Sequence, residues 1–548
     1  MSTSAAPVGL VEILDAIAAA TDPSAPCVIG PGERHLDWGE FTERRRRLAG
    51  FLHSRGLGCN RARHELGDHE SGQDHLGLLL HNCPEYLEAM IGAFGARVAP
   101  LNVNYRYTAT ELVEVLGEAG VTAVIVHDAL SAVLADALPE LPGIRTVLQV
   151  ADGSGAPLLP GAVRYEEALS AAPALPADVA PSPDDAYLLA TGGTTGRPRA
   201  VMWRNGDAVI GCFDAAREAQ PVEAFVERAR PGLRSLPTAP FMHGAGHWTA
   251  LRALLAGGTV VIPDDPERFD PAAIWSAVER HGVTLMLIVG ESFARPLLAE
   301  FDPARHDASS LNVILSGGAP LSAATKERLL ERLPTVMIVD GFGASESGGQ
   351  MSIVSTAGSA TSGVFRPRSA ATVVLAPDRT RVLSPGDPTI GWLASTGRLP
   401  LGYLGDPERT RATFPTVDGV RYAVPGDHAR LLADGSIEAF GRESVCINTG
   451  GEKVYAEEVE DAVLAHPAVR DCIVVGRVSD RWGSEVVAVV SLEAGCDAPG
   501  VAELSALLAE RLARYKHPKS VIVVDEVRRS PAGKADYAWA RSVSAEPA

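Results

Sequence analysis

Apolar and polar positions along the chain follow two alternating periods. Continuous apolar runs at residues 76–80, 121–126 and 283–289 are typical of buried strands. Between such runs lie segments with apolar residues every three or four positions, such as 84–94 and 272–280, which is typical of helices. Repeated strand–helix units of this kind predict mainly parallel sheets covered by helices. Ligands of such sheets bind beyond the carboxyl ends of the strands, so we expect the functional site there.

The pattern changes in the last third of the chain. Past residue 360 it favours β-structure, with Asp434-Gly435 as a hairpin signal, and from Arg442 it predicts a small α+β unit with a helix at 456–464. The expected fold class is therefore α/β. A large N-terminal domain, residues 1–441, would hold mainly parallel helix-covered sheets plus a β-rich subdomain, and residues 442–548 would form a small mobile α+β domain. A length of 548 residues also requires at least two domains.

We interpret two polar stretches near the N-terminus as segments that lie on the protein surface. The arginine run 44–47 falls opposite the apolar stripe of Phe41, Leu48 and Leu52 on a predicted helix, which favours a solvated face over an anion site. Residues 59–75 carry irregularly spaced histidines without an accompanying zinc-site pattern, so we interpret them as a surface insertion. Metal binding there stays an alternative.

The composition of the chain argues against several classes of partner and cellular location. The formal charge of −19 argues against a nucleic-acid or anionic-membrane partner. Seven scattered cysteines, an odd number without C-x-x-C spacing, indicate reduced thiols rather than disulfides or a zinc site. The first 22 residues lack the basic start of a signal peptide, and no apolar run reaches the length of a membrane span. These features together predict a cytoplasmic protein.

One stretch combines little side-chain bulk with hydroxyl groups and positive charge. It lies between apolar runs at 187–190 and 201–203, so we interpret it as a turn between two strands. Glycine allows unusual backbone angles, and bare N–H groups with threonine hydroxyls suit the phosphates of a nucleotide. No Walker sequence is present, and an ordinary hairpin turn stays an alternative. The candidate phosphate-binding residues are Thr191, Gly192, Gly193, Thr194, Thr195, Gly196 and Arg199.

Further short motifs follow this loop in a fixed order along nearly the whole chain. They lie at residues 240–243, 317–320, 341–346, 402–414, 426–427, 441–442, 450–453 and 530–534. Each motif is weak alone, but the ordered set resembles the adenylate-forming superfamily of acyl-CoA synthetases, luciferases and peptide-synthetase adenylation domains. Such enzymes join a carboxylate to the α-phosphate of ATP, release pyrophosphate, and pass the acyl group to a thiol.

The resemblance implies roles for individual residues. Glu346 and Thr194 would bind Mg²⁺, which favours oxygen ligands, and Lys534 would bridge the carboxylate and the α-phosphate, with Ser345 and Glu346 as further catalytic residues. Asp427 would accept hydrogen bonds from the ribose. Phe342 would contact adenine. The remaining implied nucleotide-binding residues are Gly317, Gly318, Ala319, Pro320, Gly341, Gly343, Arg442 and Lys453.

The resemblance also implies a domain movement about Ser444. In one pose Lys534 would reach the site, and in the other Lys453 and the glycines before it would face the site to admit coenzyme A. Some family positions differ here. Arg199 replaces a lysine with the charge retained, and Gly192 replaces a common serine, so these changes bear on phosphate affinity.

The acyl substrate is expected near residues 243–248. His243, Gly244, Ala245 and Gly246 would bind it, and the small residues suggest room for a wide group. No acid follows to hold an amino group, so a free apolar carboxylic acid with coenzyme A, ATP and Mg²⁺ fits better than an amino acid. Details of sequence look like an actinobacterial acyl-CoA synthetase branch associated with fatty acids and sterol side chains.

Alternatives stay open at this stage. A luciferase-like oxidase, an acyl-AMP ligase or a non-catalytic ATP-binding protein would share these motifs, and a homodimer is one open assembly state. Locally, Glu346 could cap a helix near Ser347, Asp427 could be a turn residue, Lys534 could be a solvated lysine, and His243 could be structural.

Overall fold

The computed structural model describes residues 6–191, 199–213, 218–442, 445–449, 452–479, 483–509, 512, 514–530 and 533–545. Its helices are α1 (Leu10–Ala20), α2 (Trp38–Ser54), α3 (Pro84–Gly95), α4 (Ala109–Glu118), α5 (Ser131–Ala137), α6 (Tyr165–Ala171), α7 (Asn205–Ala208), α8 (Val222–Glu227), α9 (Gly244–Leu255), α10 (Pro271–His281), α11 (Gly290–Glu300), α12 (Ala323–Arg332), α13 (Pro407–Thr413), α14 (Ala456–Leu464), α15 (Val501–Leu508) and α16 (Tyr537–Ala545).

The strands alternate with these helices over the first two thirds of the chain and dominate afterwards. They are β1 (Pro26–Ile29), β2 (His35–Asp37), β3 (His75–Leu79), β4 (Ala99–Asn102), β5 (Val121–His127), β6 (Thr146–Val150), β7 (Val163–Arg164), β8 (Ala186–Thr191), β9 (Arg199–Arg204), β10 (Arg234–Pro237), β11 (Thr259–Val261), β12 (Leu285–Ile288), β13 (Val313–Gly317), β14 (Met337–Ala344), β15 (Gly348–Ser355), β16 (Val364–Pro367), β17 (Thr372–Leu375), β18 (Gly391–Ser395), β19 (Gly402–Tyr403), β20 (Thr416–Val417), β21 (Val420–Arg421), β22 (Asp427–Leu431), β23 (Ile437–Arg442), β24 (Cys446–Thr449), β25 (Glu452–Tyr455), β26 (Val469–Ser479), β27 (Gly483–Leu492) and β28 (Ser520–Val523).

Two large sheets lie within the first 442 residues, beside the short β20–β21 pair. One has the strand order β19-β9-β8-β4-β3-β5-β6-β7, and its strands β3 to β6 run parallel. In the other sheet β11, β10, β12, β13 and β14 run parallel in that order. The predicted helix-covered parallel sheets are thereby confirmed. Because β12, β13 and β14 run parallel, their carboxyl ends lie at one edge of the sheet.

The second sheet continues through antiparallel strands. β15 pairs with β14, β16 with β15, and β23 with β16, so the β-rich part extends the parallel sheet rather than standing apart from it. The hairpin predicted at Asp434-Gly435 joins β22 to β23. Gly435 there has a φ of +81°, a left-handed angle that glycine adopts without strain.

The C-terminal part has its own apolar core. β26, β27 and β28 form one small sheet, β24 and β25 form a hairpin, and α14 packs on β26. Among the described residues, the members of the main buried cluster here all come from this part of the chain, and they include Val454, Val459, Val474, Val490 and Leu504. A separate core of this kind is what an independent small domain requires.

The arginine run on α2 differs from the prediction. Phe41, Leu48 and Leu52 are fully buried, as expected. However, Arg45 is only 3% exposed and contacts Asp15 at 2.5 Å, while Arg44 donates to the buried Glu88 at 2.7 Å. The solvated-face interpretation is therefore wrong for these two arginines. Acidic partners on α1 and α3, distant in sequence, compensate the buried charges.

The insertion at residues 59–75 contacts a turn that is distant in sequence. The backbone oxygen of His69 accepts a hydrogen bond from the Gly405 amide at 2.8 Å, close to β19. His75 belongs to β3 and is buried, with Nε2 2.7 Å from Ser71 Oγ. Within the described residues, no group of three or more His, Cys, Asp or Glu side chains is placed to hold a metal. No described helix has the length and apolar character of a membrane span.

Candidate active site

The glycine–threonine loop is framed by a regular hairpin. β8 and β9 are antiparallel, and Thr191 pairs with Arg199 at their ends, which confirms a turn between two strands. Asn102 of β4 fixes this end of β8, because its side chain accepts from the Ala190 amide at 2.8 Å and donates to the Ala190 oxygen. Residues 192–198, and with them Gly192, Gly193, Thr194, Thr195 and Gly196, lie outside the described residues.

Arg199 is engaged by acidic groups in this conformation. Its guanidinium contacts the carboxylate of Glu118 on α4 and lies 3.9 Å from the carboxylate of Asp406. The side chain is 29% exposed. Its positive charge is therefore partly neutralised by two acids that the sequence motif alone did not indicate.

The two glycine motifs meet at the carboxyl ends of adjacent parallel strands, as predicted. Gly317 of β13 lies beside Gly341 of β14 in register. Gly318 follows with a φ of +85°, which lets the chain turn away from the sheet edge. Phe342 packs edge-on against Phe365, with ring centroids 5.5 Å apart. β14 nevertheless continues through Gly343 to Ala344, so this motif is strand rather than loop.

Glu346 lies in the tight turn between β14 and β15. Its Oε1 accepts a hydrogen bond of 2.7 Å from the hydroxyl of Tyr403. The preceding carbonyl, that of Ser345, accepts from Trp203 Nε1 at 2.9 Å. β15 begins at Gly348, so the alternative that Glu346 caps a helix is wrong. Gly348 is needed there, because a Cβ atom would lie 2.1 Å from the Gly211 oxygen.

Asp427 begins a strand and is buried. It is 4% exposed and pairs with Arg442 across the β22–β23 ladder, so the alternative of a turn residue is wrong. Lys453 lies in β25, where its backbone pairs with Asn448. Ser444, the expected hinge, lies outside the described residues.

Two histidines at the start of α9 have different environments. His247 is fully buried, and its ring contacts the Phe241 oxygen at 2.6 Å and the Tyr187 hydroxyl, so it is a satisfied structural histidine. His243 precedes the helix, and its Nε2 is buried without a hydrogen bond from any described residue. Burial, together with the positive charge of Lys534, lowers the pKa of His243 to about 3. His243 is therefore neutral near pH 7.

The three small residues after His243 are small for different reasons. A Cβ on Gly246 would lie 2.4 Å from the Pro240 oxygen, so glycine allows α9 to approach that backbone. A Cβ on Gly244 would lie 3.1 Å from the ring of Trp248. Ala245 is partly buried and packs against the apolar cluster of the second sheet. Close packing accounts for Gly246 without any pocket.

Lys534 is carried to the same region by the C-terminal part. Its amide donates to Ser530 Oγ at 3.2 Å and its oxygen accepts from the Ser530 amide at 2.7 Å, which closes a tight turn. Gly533 in this turn packs so closely on the first part of the chain that a Cβ would lie 2.4 Å from Ser292 Oγ and 3.1 Å from Val289. The charge of Lys534 acts on His243. The Gly533-Lys534 turn is thus seated at the start of α11, which is far from it in sequence.

Sequence reasoning missed two residues that hydrogen-bond to the Ser345-Glu346 turn. Tyr403 belongs to a recognised motif but had no assigned role, and Trp203 was noted only as part of an apolar run. Both are buried, at 2% and 0% exposure, and both hold the Ser345-Glu346 turn. No periodicity or spacing in the sequence links them to that turn.

Comparison with known proteins agrees with this architecture. The AMP-binding enzyme family matches residues 16–401, and the AMP-binding enzyme C-terminal domain matches residues 458–534. The medium-chain acyl-CoA ligase Mig of Mycobacterium avium is 46% identical over 96% of this chain and 97% of its own length. A medium/long-chain-fatty-acid–CoA/3-oxocholest-4-en-26-oate–CoA ligase of Mycolicibacterium smegmatis is 40% identical over 96% and 94%.

Solved structures show the same fold. The anthranilate CoA ligase AuaEII, crystallised with anthranoyl-AMP, superposes with a TM-score of 0.81 over 98% of both chains at 20% identity. ATP-bound MatB from Rhodopseudomonas palustris gives a TM-score of 0.77 at 24% identity, over 98% of this chain and 99% of its own. With a family model that spans most of its length and close relatives over nearly all of it, this chain belongs to the AMP-binding enzyme family.

Proposed function

We propose that the protein is an AMP-forming acyl-CoA ligase that activates an apolar carboxylic acid. The observation that carries the proposal is the seating of the Gly533-Lys534 turn against Val289 and Ser292, with the charge of Lys534 acting on His243. This seating supports a role for the Lys534 cation beside the carboxylate and the phosphate. The names of the relatives in Mycobacterium avium and Mycolicibacterium smegmatis support the same reaction.

The nucleotide would bind along the edge formed by β13 and β14. Gly317, Gly318, Ala319 and Pro320 would line the adenine pocket with Gly341, Phe342 and Gly343. Asp427, a buried carboxylate at the start of β22, would accept hydrogen bonds from both ribose hydroxyls. Arg442, which pairs with Asp427 in the β22–β23 ladder, would contribute to the same part of the nucleotide site. The phosphates would bind the loop from Thr191 to Gly196, with Arg199 at its rim.

Glu346 fits a magnesium ligand. Among the described residues, the hydrogen bond to Glu346 comes from Tyr403 and reaches Oε1, and the side chain is partly exposed, so its carboxylate could also bind a cation. A single carboxylate suits Mg²⁺, which usually keeps several waters and takes its other ligands from substrate phosphates. Thr194 would add a hydroxyl. Bound there, Mg²⁺ would neutralise charge on the phosphates.

The proposed reaction has two steps. In the first, a carboxylate oxygen bonds to the α-phosphorus of ATP as the bond to pyrophosphate breaks, and Lys534 stabilises the negative charge that develops between them. In the second, the sulfur of coenzyme A bonds to the acyl carbon as AMP leaves, and the thiol proton passes to solvent. Ser345 presents its carbonyl to Trp203, so it acts by fixing the turn that carries Glu346.

We propose the division into residues 1–441 and 442–548, with Ser444 as the hinge between the two steps. The separate C-terminal core supports such a division. A rotation about Ser444 would remove Lys534 and bring Lys453 to the site for coenzyme A. Ser444→Pro, which fixes φ, should therefore spare the first step and slow the second.

The acid would lie near His243 and Ala245. His243 presents a neutral ring nitrogen that has no hydrogen bond from the described part of the chain, and Ala245 packs against an apolar cluster. Acidic groups are absent from residues 243–248, which disfavours an amino-acid substrate. Ala245→Phe should penalise bulky acids more than short ones. Equal losses for a steroid side-chain acid and a medium-chain fatty acid would remove Ala245 from the pocket.

The decisive experiment separates the two steps. Pyrophosphate release is measured with a panel of acids with and without coenzyme A, and thioester formation is measured from supplied acyl-AMP. Lys534→Ala should lose about two to three decades in the first step alone, whereas the exposed Lys519→Ala should lose nothing. Glu346→Gln should lose about two to four decades, with the exposed Glu408→Gln as its control.

Other outcomes would redirect the proposal. Acyl-AMP without thioester would indicate an acyl-AMP ligase, and light with a luciferin would indicate an oxidase. Nucleotide binding without pyrophosphate release from any acid would indicate a non-catalytic protein. Equal damage to both steps in Lys534→Ala would contradict the alternating use of the C-terminal domain.

A further inference from the structure

Helix α11 (Gly290–Glu300) lies between the nucleotide motif and the C-terminal part and contacts both. At its start, the Glu291 amide donates to the Pro320 oxygen at 3.0 Å, and a Cβ on Gly290 would lie 2.3 Å from that same oxygen. The first turn of α11 is therefore fixed against the loop that we assign to adenine. One turn later the helix faces the C-terminal part.

Arg295 makes the contact on that side. Its Nη1 donates to the backbone oxygen of Val469, the first residue of β26, at 3.0 Å, and lies 3.7 Å from Glu493. The side chain is only 12% exposed. This hydrogen bond joins α11 to the C-terminal part, which has a separate apolar core. A charged guanidinium makes strong and directional hydrogen bonds, so it fixes the relative position of the two elements.

The other end of this guanidinium is held rigidly. Arg295 Nε donates to Glu291 Oε2 at 2.6 Å, and Glu291 is 3% exposed. The same carboxylate accepts from the Ser322 amide and the Thr325 hydroxyl, both at 2.8 Å, at the start of α12. Arg295 therefore has little freedom to adopt another rotamer.

A second arginine connects the start of β26 to the turn that carries Lys534. Asp471, two residues along β26, pairs with Arg529 at 2.6 Å, and Arg529 Nη1 also donates to the Gly533 oxygen at 3.3 Å. Arg295 therefore fixes the start of β26 against α11, and Arg529 fixes β26 against the Gly533-Lys534 turn. Every contact in this path is between described residues.

We propose that Arg295 is a positioning residue that docks the start of β26 so that Lys534 reaches the reacting groups. This inference rests on the proposed function, because it assigns Arg295 a role in the step that uses Lys534. Arg295 is not among the residues that we assign to the nucleotide or the acid. Its effect should therefore be confined to acyl-AMP formation and should pass through Lys534.

The first test is a double-mutant cycle on single-turnover acyl-AMP formation. Arg295→Met should slow this step about 10- to 100-fold, the range expected from loss of one hydrogen bond to a charged group. Arg295→Lys keeps the positive charge but lacks the planar guanidinium with its several donors, so its rate of acyl-AMP formation should be intermediate. In a Lys534→Ala background, Arg295→Met should cost less than about twofold more, because the interaction it supports is already gone.

Controls separate docking from damage to the fold. Arg295→Met leaves Glu291 buried without its cation, so Glu291→Gln/Arg295→Met, which removes both charges together, is measured alongside it. Both variants should keep thioester formation from supplied acyl-AMP. Arg305→Met, which removes a 66% exposed arginine beside Glu300, should change neither step.

A second readout does not depend on activity. Ser362 Oγ lies 3.3 Å from the carboxylate of Asp461 across the same interface, so Ser362→Cys/Asp461→Cys should form a cross-link when the domains dock. With the exposed Cys496 and the half-buried Cys59 replaced by serine, cross-linking should be slower in Arg295→Met than with Arg295 intact.

The outcomes distinguish this inference from the proposed function. A wild-type protein that forms no acyl-AMP from any acid refutes the proposed function, and cross-linking then still reports on docking. Unchanged cross-linking and acyl-AMP formation in both Arg295 variants overturn the positioning role. So do equal losses with and without Lys534, since Arg295 would then act by another route.

Discussion

Removal of the Tyr403 hydroxyl should weaken magnesium binding without displacing the residues around it. Tyr403→Phe deletes the donor that contacts Glu346 Oε1 at 2.7 Å. The ring would keep its packing on Phe414, at a centroid distance of 6.1 Å, and the guanidinium of Arg409 over its face at 4.6 Å. Burial and the nearby charge of Glu346 raise the pKa of Tyr403, so the hydroxyl stays protonated and donates at every working pH.

The expected magnitude follows from the kind of bond that is lost. A hydrogen bond to a charged group contributes about 1.5–3 kcal/mol, and each 1.4 kcal/mol is roughly tenfold in affinity. Loss of a group that orients a metal ligand typically costs about 10- to 100-fold in metal affinity. The two estimates agree. The Mg²⁺ concentration for half-maximal rate should therefore rise at least about tenfold, with most of the rate recovered at saturating Mg²⁺.

The assay is pyrophosphate release across a Mg²⁺ titration at saturating ATP and acid. Tyr422→Phe is the matched control, because Tyr422 is also buried but belongs to the apolar cluster around Trp392. Urea unfolding of both variants checks the fold. An unchanged Mg²⁺ dependence in Tyr403→Phe would refute the argument that Tyr403 orients Glu346 for the cation.

Three further predictions concern stability. Gly246→Ala should destabilise by about 1–3 kcal/mol through overpacking on the Pro240 backbone, whereas Gly232→Ala, with open space around it, should be near neutral in urea unfolding. The folded-state pKa of His243, about 3 against an ordinary 6.5, means that the unfolded chain binds more protons between these values. Stability should therefore fall as pH drops from about 6.5 toward 3, and His243→Gln should flatten that fall. Lys326→Met should cost about 3–5 kcal/mol by leaving the buried Asp340 unpaired, and Lys326→Met/Asp340→Asn should recover part of it.

The elements that the sequence predicted well have strong local patterns. α14 was expected at 456–464 and has those bounds, and the helical pattern at 272–280 and the apolar run at 283–289 correspond to α10 and β12. Hairpin residues Asp434-Gly435 also behaved as expected. In each case neighbouring residues alone set the outcome, through period, length and turn chemistry.

Predictions failed where partners distant in sequence decide the structure. Arg45 has the residue type of a solvated helix face, yet it is buried and pairs with Asp15 on another helix. The segment at Gly341 is rich in glycine, which is disfavoured in strands, yet pairing with β15 extends β14 through it to Ala344. Tertiary contacts override local preference in both places.

The candidate site divides along the same line. Groups that would contact the ligand, such as Glu346, Asp427 and Lys534, must have a particular charge and hydrogen-bonding capacity. The reaction therefore restricts the residue type at these positions, and a sequence motif can identify them. The groups that orient them are less constrained, since any donor of suitable length and direction would serve. Trp203 reaches Ser345 across 142 residues and Tyr403 reaches Glu346 across 57. Their identity follows from where the sheets place them, so only the folded chain identifies them.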